Sequence, residues 1–233
     1  MTEDSRLNEW FVPRFGSLKF RVFIGLLFLP YTGMCIAFTI LGAMLAPTVL
    51  WDRVAAIIAI YGLALGVSAH AADTLGSKKI KPWGNYFSRS ELWLLLILSL
   101  ATAYSIGIYY ILFHVPLLLV IAALEGFFVF AYNFELFKGL FHNDLTFVFS
   151  WGALPVLGGY IMQTNGVGTL PFIVSVGAAL VSYMHIKISR PYKDLRRKSL
   201  NEPRATRLEV YLKLISLGTI AAAFVVILFR AIV

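Results

Sequence analysis

The strongest constraint on this chain is a series of long apolar segments separated by connections that alternate between short and long. A membrane span needs about 20 largely apolar residues to cross a hydrocarbon core of about 30 Å. Seven segments meet this requirement: 19–46, 50–71, 91–113, 115–137, 145–163, 168–188 and 207–231. The pattern predicts an all-α, polytopic bundle of about seven transmembrane helices that forms a single membrane domain over residues 1–233.

The composition is that of a membrane protein rather than a soluble one. Hydrophobic residues make up 59% of the chain and the mean hydropathy is +0.80, whereas soluble domains have roughly 45–50% apolar residues. A net charge of +8 would favour a nucleic-acid partner in a soluble protein. Here the Lys and Arg residues lie between apolar segments, where they act as topology signals, so we predict no nucleic-acid partner. The start of the chain lacks the pattern of a removable signal peptide.

The distribution of basic residues predicts the orientation in the membrane. If the amino terminus is inside, only Arg53 and Arg230 of the 20 Lys and Arg residues fall on the outer side. Cytoplasmic loops carry the excess of Lys and Arg in membrane proteins. We therefore expect a cytoplasmic amino terminus and a carboxyl terminus on the outer side, with the plasma membrane as the location.

Ionisable residues within membrane spans are costly and mark functional sites by default. His70 and Asp73 end the second predicted span, and their spacing of three residues places both side chains on one helical face. We predict that they form the catalytic pair. Glu125 lies deeper, within the fourth predicted span, where a carboxyl group needs a partner or stays protonated.

Basic and polar residues at the inside ends of the second, fourth and sixth spans form the predicted substrate-binding set. Arg pairs with phosphate bidentately and Lys acts as a point charge, so these residue types favour a phosphate group. For any single Lys or Arg, the alternative is that the side chain reaches phospholipid headgroups. The set is Lys78, Lys79, Tyr132, Asn133, Lys138, Lys187, Arg190, Lys193 and Arg196.

Histidine and carboxylate residues at the same inside ends give a second hypothesis, a transition-metal site. Imidazole and carboxylate suit iron, zinc or manganese, although the spacing matches no standard metal motif. Asp144 has the alternative role of capping the fifth helix together with Asn143. The predicted metal ligands are Asp73, His142, Asp144 and His185.

Residues 131–161, AYNFELFKGLFHNDLTFVFSWGALPVLGGYI, resemble the fourth and fifth helices of the UbiA superfamily of intramembrane prenyltransferases. There a Tyr precedes a basic residue at the end of the fourth helix, and a glycine-rich segment with an Ala-Leu-Pro-like core follows. The resemblance implies a UbiA-like fold and a transferase that acts on an isoprenoid or lipid diphosphate at the cytoplasmic face. The matching positions are Tyr132, Lys138, Gly152, Ala153, Leu154, Pro155 and Gly158.

The chain departs from the family pattern at two aspartate-rich motifs, which in that family bind magnesium and the prenyl diphosphate. In the place of the first, SAHAADTLGSKK offers Asp73, with His70 at the position of the other aspartate. In the place of the second, HIKISRPYKDLRRK contains only Asp194 as an acidic residue. Magnesium requires oxygen ligands. The resemblance thus implies magnesium as cofactor. The residues present instead favour Lys and Arg side chains that hold the diphosphate directly.

Three functional classes follow from these observations. The first is the divergent UbiA-like transferase, in which His70 or Asp73 takes the proton of the acceptor. The second is a non-catalytic membrane binder or subunit derived from that fold after the motifs were lost. The third is a metal-dependent membrane enzyme that uses the histidine and carboxylate set.

Overall fold

The computed structural model describes residues 7–77, 86–198 and 202–232, and the regular elements in these ranges are all helical. A short turn, Leu136–Gly139, has left-handed φ angles at Phe137 and Lys138. We number the longer helices in chain order. They are α1 (Leu18–Leu26), α2 (Leu29–Met44), α3 (Trp51–Gly76), α4 (Arg89–Phe113), α5 (Leu118–Asn133), α6 (Asp144–Thr164), α7 (Thr169–Lys198) and α8 (Pro203–Ile232).

The helices agree with an integral membrane protein. In the described ranges, the five helices α3, α4, α6, α7 and α8 are long and apolar enough to cross a membrane, and α1 with α2 makes a sixth span if the bent pair counts as one. Helix α5 is apolar but shorter, with 16 residues. The prediction of an all-α fold is confirmed for the described residues, and five to six of their helices could span a membrane, where the sequence predicted about seven.

Two helices do not end at the same residue as the predicted spans. Helix α7 continues ten residues beyond the predicted span end at 188, to Lys198, and passes through Pro191. Arg190, Lys193 and Arg196 therefore lie on a helix and not in a loop. Helix α5 ends at Asn133, before the predicted span end at 137, and Lys138 follows in the left-handed turn.

The first predicted segment is broken into α1 and α2, with a bend of 42°. Phe28 adopts a left-handed conformation (φ 45°, ψ 56°) at the break, and Pro30 occupies the first turn of α2. A proline at that position has no backbone N–H to satisfy, which suits a helix start. The Thr32 hydroxyl donates to the Leu27 carbonyl at 2.6 Å, so a backbone acceptor at the break is satisfied.

Helix α6 lies at the centre of the bundle. In its most apolar 18-residue window 72% of the residues are buried, compared with 22% for α4 and 17% for α8. Helix α2 packs closely along α6, α7 packs on the amino-terminal half of α6, and α8 covers α2 and α7. The exposed apolar residues of α4 and α8 thus form part of the surface available to lipid, together with those of α5 and α7.

Two glycines allow α2 and α6 to approach backbone to backbone. A Cβ atom on Gly42 would overlap the carbonyl oxygen of Val156, and one on Gly159 would overlap the carbonyl oxygen of Thr39. Small residues at such contacts let membrane helices pack without a hydrophobic driving force between them. The close pairing of α2 with α6 therefore depends on these two positions.

Helices α3 and α6 each contain a π-helical stretch near the same end of the bundle. In α3 it covers Gly62–Ala69 and ends directly before His70, and in α6 it covers Phe149–Ala153 and includes Trp151. The Ser68 hydroxyl donates to the Leu63 carbonyl at 3.1 Å within the first stretch. Such π segments occur frequently at functional sites.

We predict that Gly159→Ala destabilises the protein by about 1–3 kcal/mol, because the added methyl group must separate two backbones that are in contact. The measurement is thermal unfolding of the purified protein in detergent. Gly177→Ala is the matched control, since a Cβ atom there meets no other atom within 4 Å. Equal loss of stability in both variants would contradict the role of the α2–α6 contact.

Candidate functional site

A cavity of about 240 Å³ lies where α2, α3, α5, α6 and α7 converge, and we call it the main cavity. It combines polar and aromatic side chains at one end of the bundle. Seven of the residues predicted from the sequence line it. They are His70, Asp73, Tyr132, Asn133, His142, Arg190 and Lys193.

The other predicted residues that the structure describes do not line the main cavity. Lys187 is half-exposed and contacts Asp144, which lies beside the cavity. Arg196 pairs with Glu209 of α8 at 2.6 Å, and Lys138 is exposed in the turn after α5. Lys78 and Lys79 lie outside the described residues.

His185, a predicted metal ligand, is buried beside the main cavity rather than in it. Its ring meets the edge of the Tyr31 ring with 4.3 Å between centroids. Both ring nitrogens are buried without a hydrogen-bond partner in the described structure. His185 lines a separate cavity of about 20 Å³, and Tyr31 contributes to the walls of both cavities.

His70 and Asp73 lie one helical turn apart at the end of α3, and both face the main cavity. The Thr32 hydroxyl, which already donates to a carbonyl, makes a long hydrogen bond of 3.5 Å with Nε2 of His70. This arrangement favours the tautomer with the proton on Nε2, because the Thr32 oxygen then acts as acceptor. Nδ1 is then the His70 atom that can accept a proton.

His142 and Tyr132 form a second polar wall. Nδ1 of His142 donates to the carbonyl of Tyr132 at 3.0 Å, and the two rings stack with 4.6 Å between centroids. Tyr132 also lies close enough to Asp73 and Arg190 to interact with both charges. Tyr132 therefore lies between Asp73 of α3, Arg190 of α7 and His142, which precedes α6.

Four aromatic side chains form an apolar wall that the sequence analysis did not identify. Phe147 and Trp151 stack with 5.7 Å between centroids and 11° between ring planes, as their spacing of four residues allows. Phe28 and Tyr31 continue this wall from α2, and Tyr31 meets Phe147 edge to face at 5.5 Å. The aromatic pair at spacing four, inside the 131–161 segment, was the signal available in the sequence.

Two cations of α7 reach the main cavity. Nζ of Lys193 lies over the Phe28 ring at 4.6 Å and over the Tyr31 ring at 5.7 Å. Such cation–π contacts hold the ammonium group at the aromatic wall. Arg190, one helical turn before it, pairs with Asp144. The cavity thus places two positive charges beside aromatic rings.

Asp144 is an anchor for α7 rather than the cap of α6. The capping oxygen belongs to Asn143, which accepts from the Thr146 backbone N–H at 3.0 Å. The Asp144 carboxylate instead pairs with Lys187 at 2.8 Å and with Arg190. It holds Arg190 at the rim of the main cavity.

The predicted metal ligands are not assembled in the described part of the chain. No group of three or more His, Cys, Asp or Glu residues lies close enough there to hold a metal ion. Asp144 is paired with two cations, and His185 does not line the main cavity. Among the described residues that line the main cavity, Asp73 is the only carboxylate. A magnesium cluster that requires several carboxylates does not fit this site.

Comparison of the chain with family models, with curated proteins and with solved structures gives no match. The resemblance to the UbiA superfamily therefore stays a prediction. Inferences about function depend on the residues of the main cavity.

We predict that Asp144→Asn lowers the unfolding temperature by about 2 °C, because two cations lose a largely buried counter-charge. The matched control is Glu91→Gln, which removes an ion pair with Lys19 whose partners are 42% and 69% exposed. Exposed pairs contribute little to stability, so we expect no measurable change there. Thermal unfolding in detergent tests both variants, and a larger effect at Glu91 would contradict the anchoring role of Asp144.

Proposed function

We propose that this protein is a divergent UbiA-like membrane transferase with about seven spans that acts on an isoprenoid or lipid diphosphate at the cytoplasmic face. The observation that supports it is the main cavity, where Arg190 and Lys193 lie beside aromatic rings and near His70 and Asp73. This combination matches a substrate with an anionic head and a reactive apolar carbon chain.

Arg190 and Lys193 are suited to bind the diphosphate. A guanidinium pairs with phosphate oxygens bidentately, and an ammonium adds a point charge. Their positions on successive turns of α7 place both on one face of the helix. Because a magnesium cluster does not fit the described residues, we propose that these cations supply the charge that stabilises the departing diphosphate.

The proposed reaction is transfer of the apolar chain to an acceptor. The C–O bond between the allylic carbon and the diphosphate breaks, and the diphosphate leaves with the electron pair. The nucleophilic atom of the acceptor forms the new bond to that carbon and loses one proton, which His70 or Asp73 accepts. The aromatic wall of Phe147, Trp151 and Tyr31 stabilises the positive charge on the carbon chain.

We propose that the main cavity opens to the cytoplasm of a cell with this protein in its plasma membrane. The amino terminus then lies inside and the carboxyl terminus outside. Arg53 and Arg230, the two basic residues at the opposite end, donate to helix-end carbonyls. Arg53 donates to Met162 and Gln163 at 3.2 Å, and Arg230 donates to Ala46 at 2.6 Å. Both cations lie near helix carboxyl ends, where the helix dipole favours positive charge, so these two charges have structural roles.

We predict that Arg190→Ala and Lys193→Ala each weaken binding of a prenyl diphosphate about tenfold or more, because each removes a charge-assisted contact. Binding of radiolabelled geranyl, farnesyl and geranylgeranyl diphosphates to the protein in lipid nanodiscs provides the measurement, with magnesium and with a chelator. The control is Arg207→Ala, which also removes one positive charge but from an exposed residue near the start of α8. We expect it to leave binding unchanged. Failure of the wild-type protein to bind any of the three diphosphates would refute the proposal.

We predict that the double variant His70→Ala, Asp73→Ala loses about 100-fold or more of product formation, since the proton acceptor is removed. Diphosphate binding changes only a few-fold, because Arg190 and Lys193 remain. His114→Ala, an exposed histidine at the end of α4, is the matched control with full activity. If binding persists while the wild-type protein forms no product with phenolic or lipid acceptors, the protein is the non-catalytic binder derived from the same fold.

A further inference from the structure

The small cavity of about 20 Å³ beside the main cavity lies between the chain that precedes α1 and the helices α2, α7 and α8. We call residues 7–12 the strap and this space the strap cavity. Glu9, Trp10 and Phe11 of the strap form one wall of it. The opposite wall shares four residues with the main cavity, which are Phe28, Tyr31, Ser189 and Lys193. The strap therefore covers a space that adjoins the main cavity.

Both ends of the strap are fixed to the bundle. Leu7 and Val12 are buried and pack with apolar residues of α1, α3 and α4. Arg21 of α1 donates to the Leu7 carbonyl at 3.1 Å and to the carbonyl of Pro13, directly after the strap, at 2.8 Å. The middle of the strap meets α7 and α8 through side chains. Its middle residues can thus move while its ends stay in place.

The Tyr192 hydroxyl of α7 lies between two carboxylates, one on the strap and one on α8. It donates to Oε2 of Glu9 at 2.6 Å, and Oε2 of Glu209 lies 3.3 Å away. A tyrosine hydroxyl has one hydrogen to donate, so the strap and α8 compete for it. If Glu9 moves away, Tyr192 can donate to Glu209 and keeps a hydrogen-bond partner.

The other polar groups of α7 and α8 near the strap also keep partners without it. Lys213 lies over the Trp10 ring at 5.3 Å but pairs with Glu209 at 2.7 Å. Arg196 pairs with Glu209 at 2.6 Å. Movement of the strap therefore leaves these two cations paired, which keeps the cost of opening low.

His185 destabilises the closed arrangement. It lines the strap cavity opposite Trp10, and both of its ring nitrogens are buried without a hydrogen-bond partner in the described structure. A buried polar group without a partner disfavours the state that buries it. Opening of the strap would admit water to this imidazole, so the open state satisfies a group that the closed state does not.

We propose that the strap is a lid over a second entrance to the main cavity and that the hydrogen bond from Tyr192 to Glu9 holds it closed. In the open state Glu9, Trp10 and Phe11 move away from the bundle and Tyr192 donates to Glu209. The entrance then leads past Ser189 into the main cavity. Access of this kind applies to any ligand of the main cavity, so the inference does not rest on the transferase proposal.

The test is the rate of reaction with a water-soluble maleimide, measured on the full-length protein in nanodiscs. Cys35 is the single native cysteine and is buried, so an introduced cysteine is the reporter. Leu212→Cys reports from beneath the strap, and Ser189→Cys reports from the wall that both cavities share. Ala223→Cys is the matched control, because it is equally buried on α8 but packs with residues of α2 and α3.

Two changes at the carboxylates are expected to act in opposite directions. Glu9→Ala raises the reaction rate of Leu212→Cys and Ser189→Cys about tenfold, because the closed state loses a charge-assisted hydrogen bond. Glu209→Gln lowers both rates a few-fold, because the open state then offers Tyr192 a weaker acceptor. Ala223→Cys reacts at the same rate in all backgrounds.

Hydrogen exchange of the strap peptide provides the same comparison without any introduced cysteine, with faster exchange in Glu9→Ala than in the wild-type protein. Equal exchange and equal labelling in these two proteins would overturn the lid. A rise at Leu212→Cys without a rise at Ser189→Cys would overturn the entrance to the main cavity. An equal rise at Ala223→Cys would show general loosening and would also overturn the lid. None of these readouts requires a diphosphate to bind, so the transferase proposal and the lid can fail separately.

Discussion

The backbone contact between α2 and α6 is the constraint on which the rest of the structure depends. Gly42 and Gly159 bring these two helices so close that α6 occupies the centre of the bundle. That position brings Phe147 and Trp151 of α6 against Tyr31 of α2, which creates the aromatic wall. Without the hydrophobic driving force available to soluble proteins, membrane helices rely on such close packing. The geometry of the main cavity thus depends on glycine, which has no side chain, at these two positions.

The presence of several helices long and apolar enough to cross a membrane was predictable from the sequence, because the length and polarity of a span follow directly from the thickness of the hydrocarbon core. The ends of the helices were less predictable. Helix α7 extends beyond its apolar residues and continues through a basic segment to Lys198. A hydropathy pattern marks where the lipid ends, whereas the helix ends where its backbone hydrogen bonds end. The helical placement of Arg190 and Lys193 therefore could not be predicted from polarity alone.

The candidate site was predictable in part for a similar reason. Polar residues inside apolar segments are rare, so His70, Asp73 and Tyr132 stood out, and the structure brings them to one cavity. Aromatic residues do not stand out in the same way, because they are common in membrane spans. Phe28 reaches the cavity through a left-handed backbone conformation at a helix break, and no side-chain pattern encodes that direction. His185 has a side chain that could bind a metal, but it packs against Tyr31 and does not line the main cavity. Only the packing of the helices determines that placement.

The π-helical stretches before His70 and around Trp151 have an evolutionary consequence. Each residue of an α-helix turns the chain by about 100°, so the insertion or deletion of one residue rotates everything that follows it. A π stretch absorbs such an extra residue locally. A single-residue deletion within Gly62–Ala69 would convert that stretch to regular α-helix and leave His70 and Asp73 facing the same cavity. The two π stretches are thus positions where the length of the chain can change by one residue without reorienting the side chains of the main cavity.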